Sequence, residues 1–350
     1  MNGSASKDQC CAPRVDRRAF LALTGAAATA LPALATIGAE ASAKPAAAVV
    51  PTVFPPPALP QGTQEGFVQV EGGGRIGYVD TGGNGPAVVL LHAATGSLRS
   101  WPYQLSALKA AGFRTIAYSR AGILPSDPAG KAPPPREIDA LIETLGLGRI
   151  HLLGTAAGGM VALDYALEKP ARLHSLTLAC SGMATDHPII AEGWKRLLPR
   201  GFSQMPADFR ELSPSYRAAN PEGVAAWLEI NRSSRPPRPQ PAESAAPAPE
   251  GSRPTARSDR ADGGSLATAL GRSRPEPAFE ALARTRLPLL LMTGDCDLYM
   301  PPALLRQVAR LLPEARMEVI QDAGHSAYWE QPEAFNRALI GFLRGQAAKG

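Results

Sequence analysis

Cysteine and histidine are both scarce in this 350-residue chain. Four cysteines fall in no metal-binding spacing and five histidines are scattered, so neither a disulfide scaffold nor a zinc ribbon is available. Charge of one sign is also lacking. Thirty-six basic side chains against thirty-one acidic ones leave a formal +5, too weak a bias in a chain of this size to argue for nucleic acid. The glycines at 72 to 74, 82 to 83 and 158 to 159 do not make a GxGxxG turn, and no GxxxxGK[ST] occurs, so the sequence offers no cofactor site and none is expected. Glycine (34) and proline (35) are plentiful but follow no triplet period, which excludes collagen and predicts many turns or a loose segment. Hydrophobic residues at 45% are enough for a substantial core.

The first 43 residues read as an export signal, to be set aside before any fold argument. Arg17 and Arg18 precede a mildly apolar stretch from Ala19 to Ile37, and small residues from Ala39 to Ala43 form overlapping cleavage sites. The arginine pair followed by Phe20 and Leu21 resembles a bacterial twin-arginine signal, although Ala22 stands where the usual pattern has lysine. The apolar run is short and rich in alanine and glycine, so stable membrane insertion after cleavage is not expected. The expected partner of this segment is the twin-arginine export machinery, and the expected location is the periplasm or outside the cell. Cleavage removes Cys10 and Cys11. Cys180 and Cys296 remain, both after predicted strands, where two buried thiols are expected over a disulfide.

Beyond a proline-rich lead at 44–63, Phe67 to Val70 and Arg75 to Tyr78 alternate around GGG and predict a β-hairpin. AVVLLH from Ala87 to His92 is an unbroken apolar run of the kind buried on both faces of a parallel sheet. Then come a helix from Trp101 to Ala110, the strand FRTIAYS, a helix from Ile138 to Leu145, the strand RIHLLG, a helix from Gly159 to Glu168 and the strand LHSLTLA. The alternation resumes with LPLLLMT, a helix from Pro302 to Leu312, the strand RMEVI and a closing helix from Pro332 to Leu343. Residues 64–183 and 279–350 thus predict one α/β core with a mostly parallel sheet, and 184–278 a helical cap insertion. Within the cap, AEGWKRLL and PEGVAAWLEI are helical, the second with Pro221 at its start. Residues 232–275, rich in proline and arginine and poor in large apolar side chains, predict a disordered loop.

RIHLLG runs through Gly154, Thr155, Ala156, Ala157, Gly158 and Gly159 straight into a helix. A tight strand-to-helix turn of small residues lifts one side chain above the sheet and aims backbone NH groups at it. Here the sequence resembles the α/β-hydrolase superfamily, in particular its lactonase, esterase and carbon–carbon hydrolase branches, over about Val68 to Phe342. The family turn reads GxSxG; this chain has GTAAG, so Ala156 occupies the position of the nucleophilic serine. The resemblance implies that the NH of Ala93 or Ala94, after His92, and that of Ala157 form an oxyanion hole, with His92 itself a structural polar residue. It also assigns Asp297, in TGDCD, as the acid and His325, in DAGHS, as the histidine, leaving Asp295 as a turn carboxylate. SRAG at Ser119 to Gly122 replaces the family's RGxG.

Three explanations of the missing serine stand. Thr155 is the nearest hydroxyl and could attack; His325 could act on water or on a substrate proton directly, as in cofactor-free oxygenases and lyases; or the chain is a catalytically silent binding protein. Trp101, Tyr103, Met183, Trp194, Trp227, Tyr328 and Trp329 are each packing candidates. As a set around the strand ends and the cap, they favour a small apolar or aromatic carbonyl substrate, most simply an ester or lactone.

Overall fold

The computed structural model describes residues 55–183, 187–236 and 278–347. The signal-like segment 1–43, most of the proline-rich lead and the stretch 237–275 of the predicted loop lie outside the described residues.

Eight strands form one sheet: β1 (Gln64–Gln69), β2 (Arg75–Asp80), β3 (Ala87–Leu91), β4 (Arg114–Tyr118), β5 (Ile150–Thr155), β6 (Leu173–Ala179), β7 (Leu289–Gly294) and β8 (Arg316–Ile320), in the order β1-β2-β4-β3-β5-β6-β7-β8. The hairpin pairs Gln69 with Arg75, and β2 runs antiparallel to β4; every pairing from β4 to β8 is parallel. This is the mostly parallel, helix-flanked α/β-hydrolase architecture that the sequence predicts.

The parallel strands are uniformly apolar because both faces are covered. Along β3, Val89 and Leu91 join a core with α2 (Pro135–Leu145), α3 (Ala157–Glu168) and the helices Ala278–Thr285 and Pro302–Leu311. Val88 and Leu90 face the other way, into a core with α1 (Pro102–Ala110) and the helix Pro332–Ala347. Phe279 and Leu282 are fully buried in the first of these cores. The helix that starts at Ala278, at the edge of the predicted cap, therefore packs as part of the body.

The cap between β6 and β7 consists of α4 (Pro188–Leu197), α5 (Ala207–Glu211), α6 (Pro214–Ala219) and α7 (Pro221–Ser233). Pro221 opens α7 as predicted, and the Asn220 side chain caps it by accepting from the Gly223 amide at 2.8 Å. The predicted loop beginning at 232 is corrected at its first residues. Arg232 and Ser233 complete α7, Ser234 is buried with its carbonyl accepting from the Leu124 amide at 2.8 Å, and the Arg235 guanidinium donates to the Ala94 carbonyl at 3.1 Å. Composition misses this because the anchoring is done by backbone groups and a single guanidinium.

The aromatic set turns out to be packing. Trp101 lies 4.8 Å from Tyr328 between ring centroids, and Tyr103 meets Trp329 edge-on at 5.6 Å. The indole NH groups of Trp227, Trp329 and Trp194 donate to Ser326, Gly223 and Tyr299 respectively. Met183 is buried in the core. The three indole hydrogen bonds fasten the cap to the body. Cys180 is buried and Cys296 exposed, both as free thiols, so the expectation that both are buried fails for Cys296, which lies in the loop after β7. None of the described helices is long and apolar enough to cross a membrane.

Candidate active site

Four carboxyl ends of parallel strands supply the site, as expected of an open α/β sheet. The central one is the turn from β5 into α3. Ala156 takes φ 49° and ψ −117°, a conformation an L-residue other than glycine rarely adopts, and one that the surroundings hold in place. Its amide donates to the Ala179 carbonyl at 3.0 Å, and its own carbonyl accepts from Ser181 Oγ at 2.7 Å and from the Gly159 amide at 3.0 Å. The turn can be this tight because of its glycines. A Cβ on Gly154 would stand 2.4 Å from the Gly158 carbonyl oxygen, and one on Gly158 would stand 2.3 Å from that of Leu91.

Helix α3 begins at Ala157, two residues earlier than the predicted Gly159. The Ala157 amide is therefore the first of a helix, with no acceptor within it. Ala93 and Ala94 follow β3. Their carbonyls are tied down: that of Ala93 by His92 Nδ1 (2.6 Å), the Gly96 amide (3.2 Å) and the Arg120 guanidinium (3.4 Å), that of Ala94 by Arg235. Anchored carbonyls fix the direction of the loop's amides. His92 is fully buried. Its Nε2 accepts from the Arg120 amide at 3.1 Å, which leaves the proton on Nδ1, and burial holds its pKa well below the ordinary histidine value. It is structural, as the sequence suggests.

Asp297 and His325 come together. The imidazole Nδ1 donates to the carboxylate at 2.9 and 3.0 Å, with Asp297 1% and His325 5% exposed. Asp297 Oδ1 also accepts from the amides of Tyr299 (2.8 Å) and Met300 (3.0 Å). Burial alone would raise the Asp297 pKa; the neighbouring imidazole and these hydrogen bonds outweigh it and hold it below the usual carboxylate range. Burial alone would lower His325; the charges of Asp297 and Glu211 and the hydrogen bond it donates to Asp297 reverse this and raise it. The pair is a tautomer-fixed base whose Nε2 is free of protein hydrogen bonds among the described residues. Asp295 accepts from the Ala323 amide at 3.1 Å and so serves the turn.

Thr155 is not joined to this pair. Its side chain is fully buried and Oγ1 has no hydrogen-bond partner, His325 included. Strand alternation turns it beneath the turn, while Ala156 stands partly exposed above it. Two residues were missed by the sequence reading. Tyr299 stacks on the His325 ring with centroids 4.2 Å apart, and Glu211 enters from the cap as a buried carboxylate. Neither lies in a recognisable motif.

Residues 86–332 match the family model described as the alpha/beta hydrolase fold. A 2-hydroxy-6-oxononadienedioate/2-hydroxy-6-oxononatrienedioate hydrolase of Cupriavidus pinatubonensis is 25% identical over 292 residues, covering 79% of this chain and 94% of its own. Among solved structures, a thermophilic esterase from Thermogutta terrifontis superposes with a TM-score of 0.61 at 25% identity, over 81% of this chain and 99% of that one. The enol-lactonase from Burkholderia xenovorans LB400, at 20% identity and a TM-score of 0.57, shares the fold over 80% of this chain and all of its own. The chain belongs to the α/β-hydrolase fold family and is a hydrolase-type member of it.

Proposed function

We propose that this protein hydrolyses a small apolar ester or lactone with His325 as general base toward water, without a covalent intermediate. The observation that carries this is the Asp297–His325 pair at 2.9 Å in a site whose turn keeps its strained geometry at Ala156 but presents a methyl group there. An alanine methyl cannot attack a carbonyl. In this reading a water takes the place of the serine hydroxyl, between Nε2 and the amides of Ala94 and Ala157.

In this reading the neutral imidazole takes a proton from water at Nε2 as the water oxygen bonds to the carbonyl carbon. The C=O π pair moves onto oxygen, where the Ala94 and Ala157 amides receive it. Collapse of the tetrahedral species breaks the bond to the leaving oxygen, which takes the proton back from the imidazolium. Asp297 fixes the tautomer and stabilises the cation throughout. Thr155 is the weaker candidate for attack, since its hydroxyl is buried and unattached to the base. The matched relatives act on small organic acids and esters by their names, which supports the substrate class.

Turnover of a panel of aryl esters and lactones, with intact mass recorded after quenching, tests the reading. Hydrolysis abolished in H325A, with no acyl mass on the wild-type chain, is the expected result. No turnover of any substrate by folded wild type would make the protein a binder, and oxygen uptake or carbon–carbon cleavage without hydrolysis would move it to the cofactor-free oxygenases and lyases. The Arg17–Arg18 pattern and the small residues up to Ala43 support export by the twin-arginine route to the periplasm or beyond. A mature protein lacking Met1 to Ala43 in the periplasmic fraction is the corresponding expectation.

A further inference from the structure

The cap meets the loop that carries His325 at the end of α5, among other contacts. The Ser326 amide donates to the Glu211 carbonyl at 3.0 Å, and a Cβ on Gly324 would stand 2.8 Å from that same oxygen, so only glycine lets the two backbones meet there. This seating places the Glu211 side chain, 5% exposed, at the His325 loop and within hydrogen-bonding reach of the Tyr299 hydroxyl, the Tyr299 ring lying 4.2 Å from that of His325 between centroids; burial raises the Glu211 carboxyl above its ordinary value, and the charges of His325 and Arg210 oppose that rise. Arg210 donates to the same hydroxyl at 3.2 Å. Yet Glu211 Oε2 has no hydrogen-bond partner.

Glu330, the other buried glutamate of the region, is different. Its Oε2 accepts from the Ser213 amide at 2.7 Å and its Oε1 from the Gly324 amide at 2.9 Å, so both oxygens tie the cap to the histidine loop. That is a structural role. Glu211 has no comparable structural explanation for its side chain. A buried carboxylate oxygen left without a donor is rare, and such groups concentrate where charge appears during function. Two positive groups stand near it, the Arg210 guanidinium on the Tyr299 hydroxyl and, when protonated, His325; of these only His325 gains its charge during the proposed reaction. Asp297 is bonded to Nδ1, and Ala156 offers no hydroxyl on the Nε2 side to share the second proton.

We infer that Glu211 is a positioning residue for His325: a second, cap-borne carboxylate that, with Asp297, stabilises the imidazolium formed when the ring takes a proton. The inference rests on His325 being the base proposed above. It also makes a seated cap part of the catalytic apparatus, because displacing α5 withdraws the charge. The groups facing the ring are Asp297 and Tyr299 from the loop after β7, Glu330 from the helix Ala327–Glu330 and Glu211 from the cap; Glu211 in turn faces Asp297, Arg210, Tyr299 and Tyr328.

The test is an NMR titration of ¹³Cε1-labelled histidine in the full chain, with H325Q assigning the resonance, compared between wild type, E211Q and E211D. The His325 midpoint should fall by about 1 unit in E211Q, an opposite charge acting on the ring having been removed, and stay near wild type in E211D. The acid limb of kcat/KM on an aryl ester should move with it. An unchanged midpoint in folded E211Q overturns the inference. If E211Q does not fold, the ¹³Cδ titration of Glu211 in wild type decides: ionisation below the His325 midpoint supports the inference, and a carboxyl still protonated throughout the His325 titration overturns it. Because the titration needs no substrate, a midpoint shift without any ester turnover would count against the proposed function alone.

Discussion

Ser181 Oγ, just past β6, donates to the carbonyl of Ala156 at 2.7 Å and to nothing in the substrate space. A hydroxyl on the neighbouring strand thus holds the turn in a left-handed conformation that alanine by itself would avoid by on the order of 1 kcal/mol. The turn is shaped for a nucleophile it does not carry. Installing one in A156S needs no change of backbone. We expect A156S to show a burst with an activated ester and an acyl mass confined to the residue-156 peptide, while wild type shows neither. Turnover by A156S without a burst or adduct would mean that His325 Nε2 does not reach the turn.

Thr155→Val should be nearly silent. Its hydroxyl is buried without a partner, so replacing it by a methyl removes an unsatisfied polar group and preserves the β-branched shape. Stability should rise or stay within about 1 kcal/mol, and kcat should be retained within a few fold. Loss of all activity in a folded T155V chain would place the nucleophile at Thr155 and overturn the water route.

What the sequence made legible follows from local chemistry. AVVLLH, RIHLLG and LPLLLMT are recognisable because strands covered on both faces need apolar residues without alternation. Asp297 and His325 could be placed because the resemblance to the α/β-hydrolases assigns the acid to the loop after LPLLLMT and the histidine to the loop after RMEVI. Glu211 could not be found. It sits at the end of a five-residue helix with no periodic pattern, and its approach to His325 depends on how the cap packs, a tertiary event that leaves no mark in α5 itself. Tyr299 was hidden in a different way, lying two residues beyond the acid already noticed. The fate of Cys296 also turned on the detailed path of one loop, on which sequence separation is silent.

The pH–rate profile should carry the signature of the raised base. His325 works as a base only when neutral, and Asp297 with Glu211 favours its charged form, so activity should rise with pH through a midpoint above the ordinary 6.5. In D297N the largest of those charges is gone. The acid limb should move to lower pH, and the rate on the plateau should fall by roughly 10²–10⁴-fold because the ring loses its tautomer-fixing acceptor. An unaltered limb in D297N, read from kcat/KM between pH 5 and 9, would detach the chemistry from His325.

Stability should respond to pH through Glu330, whose burial pushes its carboxyl up to about 7, against an unfolded value of about 4.3. A carboxyl raised in the folded state contributes stability that is fully present below the unfolded pKa and is lost as pH climbs through the folded one. His325, also raised, acts in the same direction at the upper end of this range. Asp297, held low, loses its contribution only as pH falls below the carboxylate range, so it does not oppose them between pH 5 and 8. Glu137, also raised to about 7, contributes a fall of the melt from pH 5 to pH 8, whereas the buried His92 and His151, held below the ordinary histidine value, contribute a rise, so the part owed to Glu330 is read as the difference between wild type and E330Q. E330Q should make the melt fall less, or rise more, over this window than wild type does. It should also lower the melt at every pH, because a glutamine oxygen can serve the Ser213 or the Gly324 amide while its NH₂ group repels the other, a loss of about 1–3 kcal/mol. An E330Q chain with the full wild-type slope would show that Glu330 is ionised in the folded protein well below neutrality.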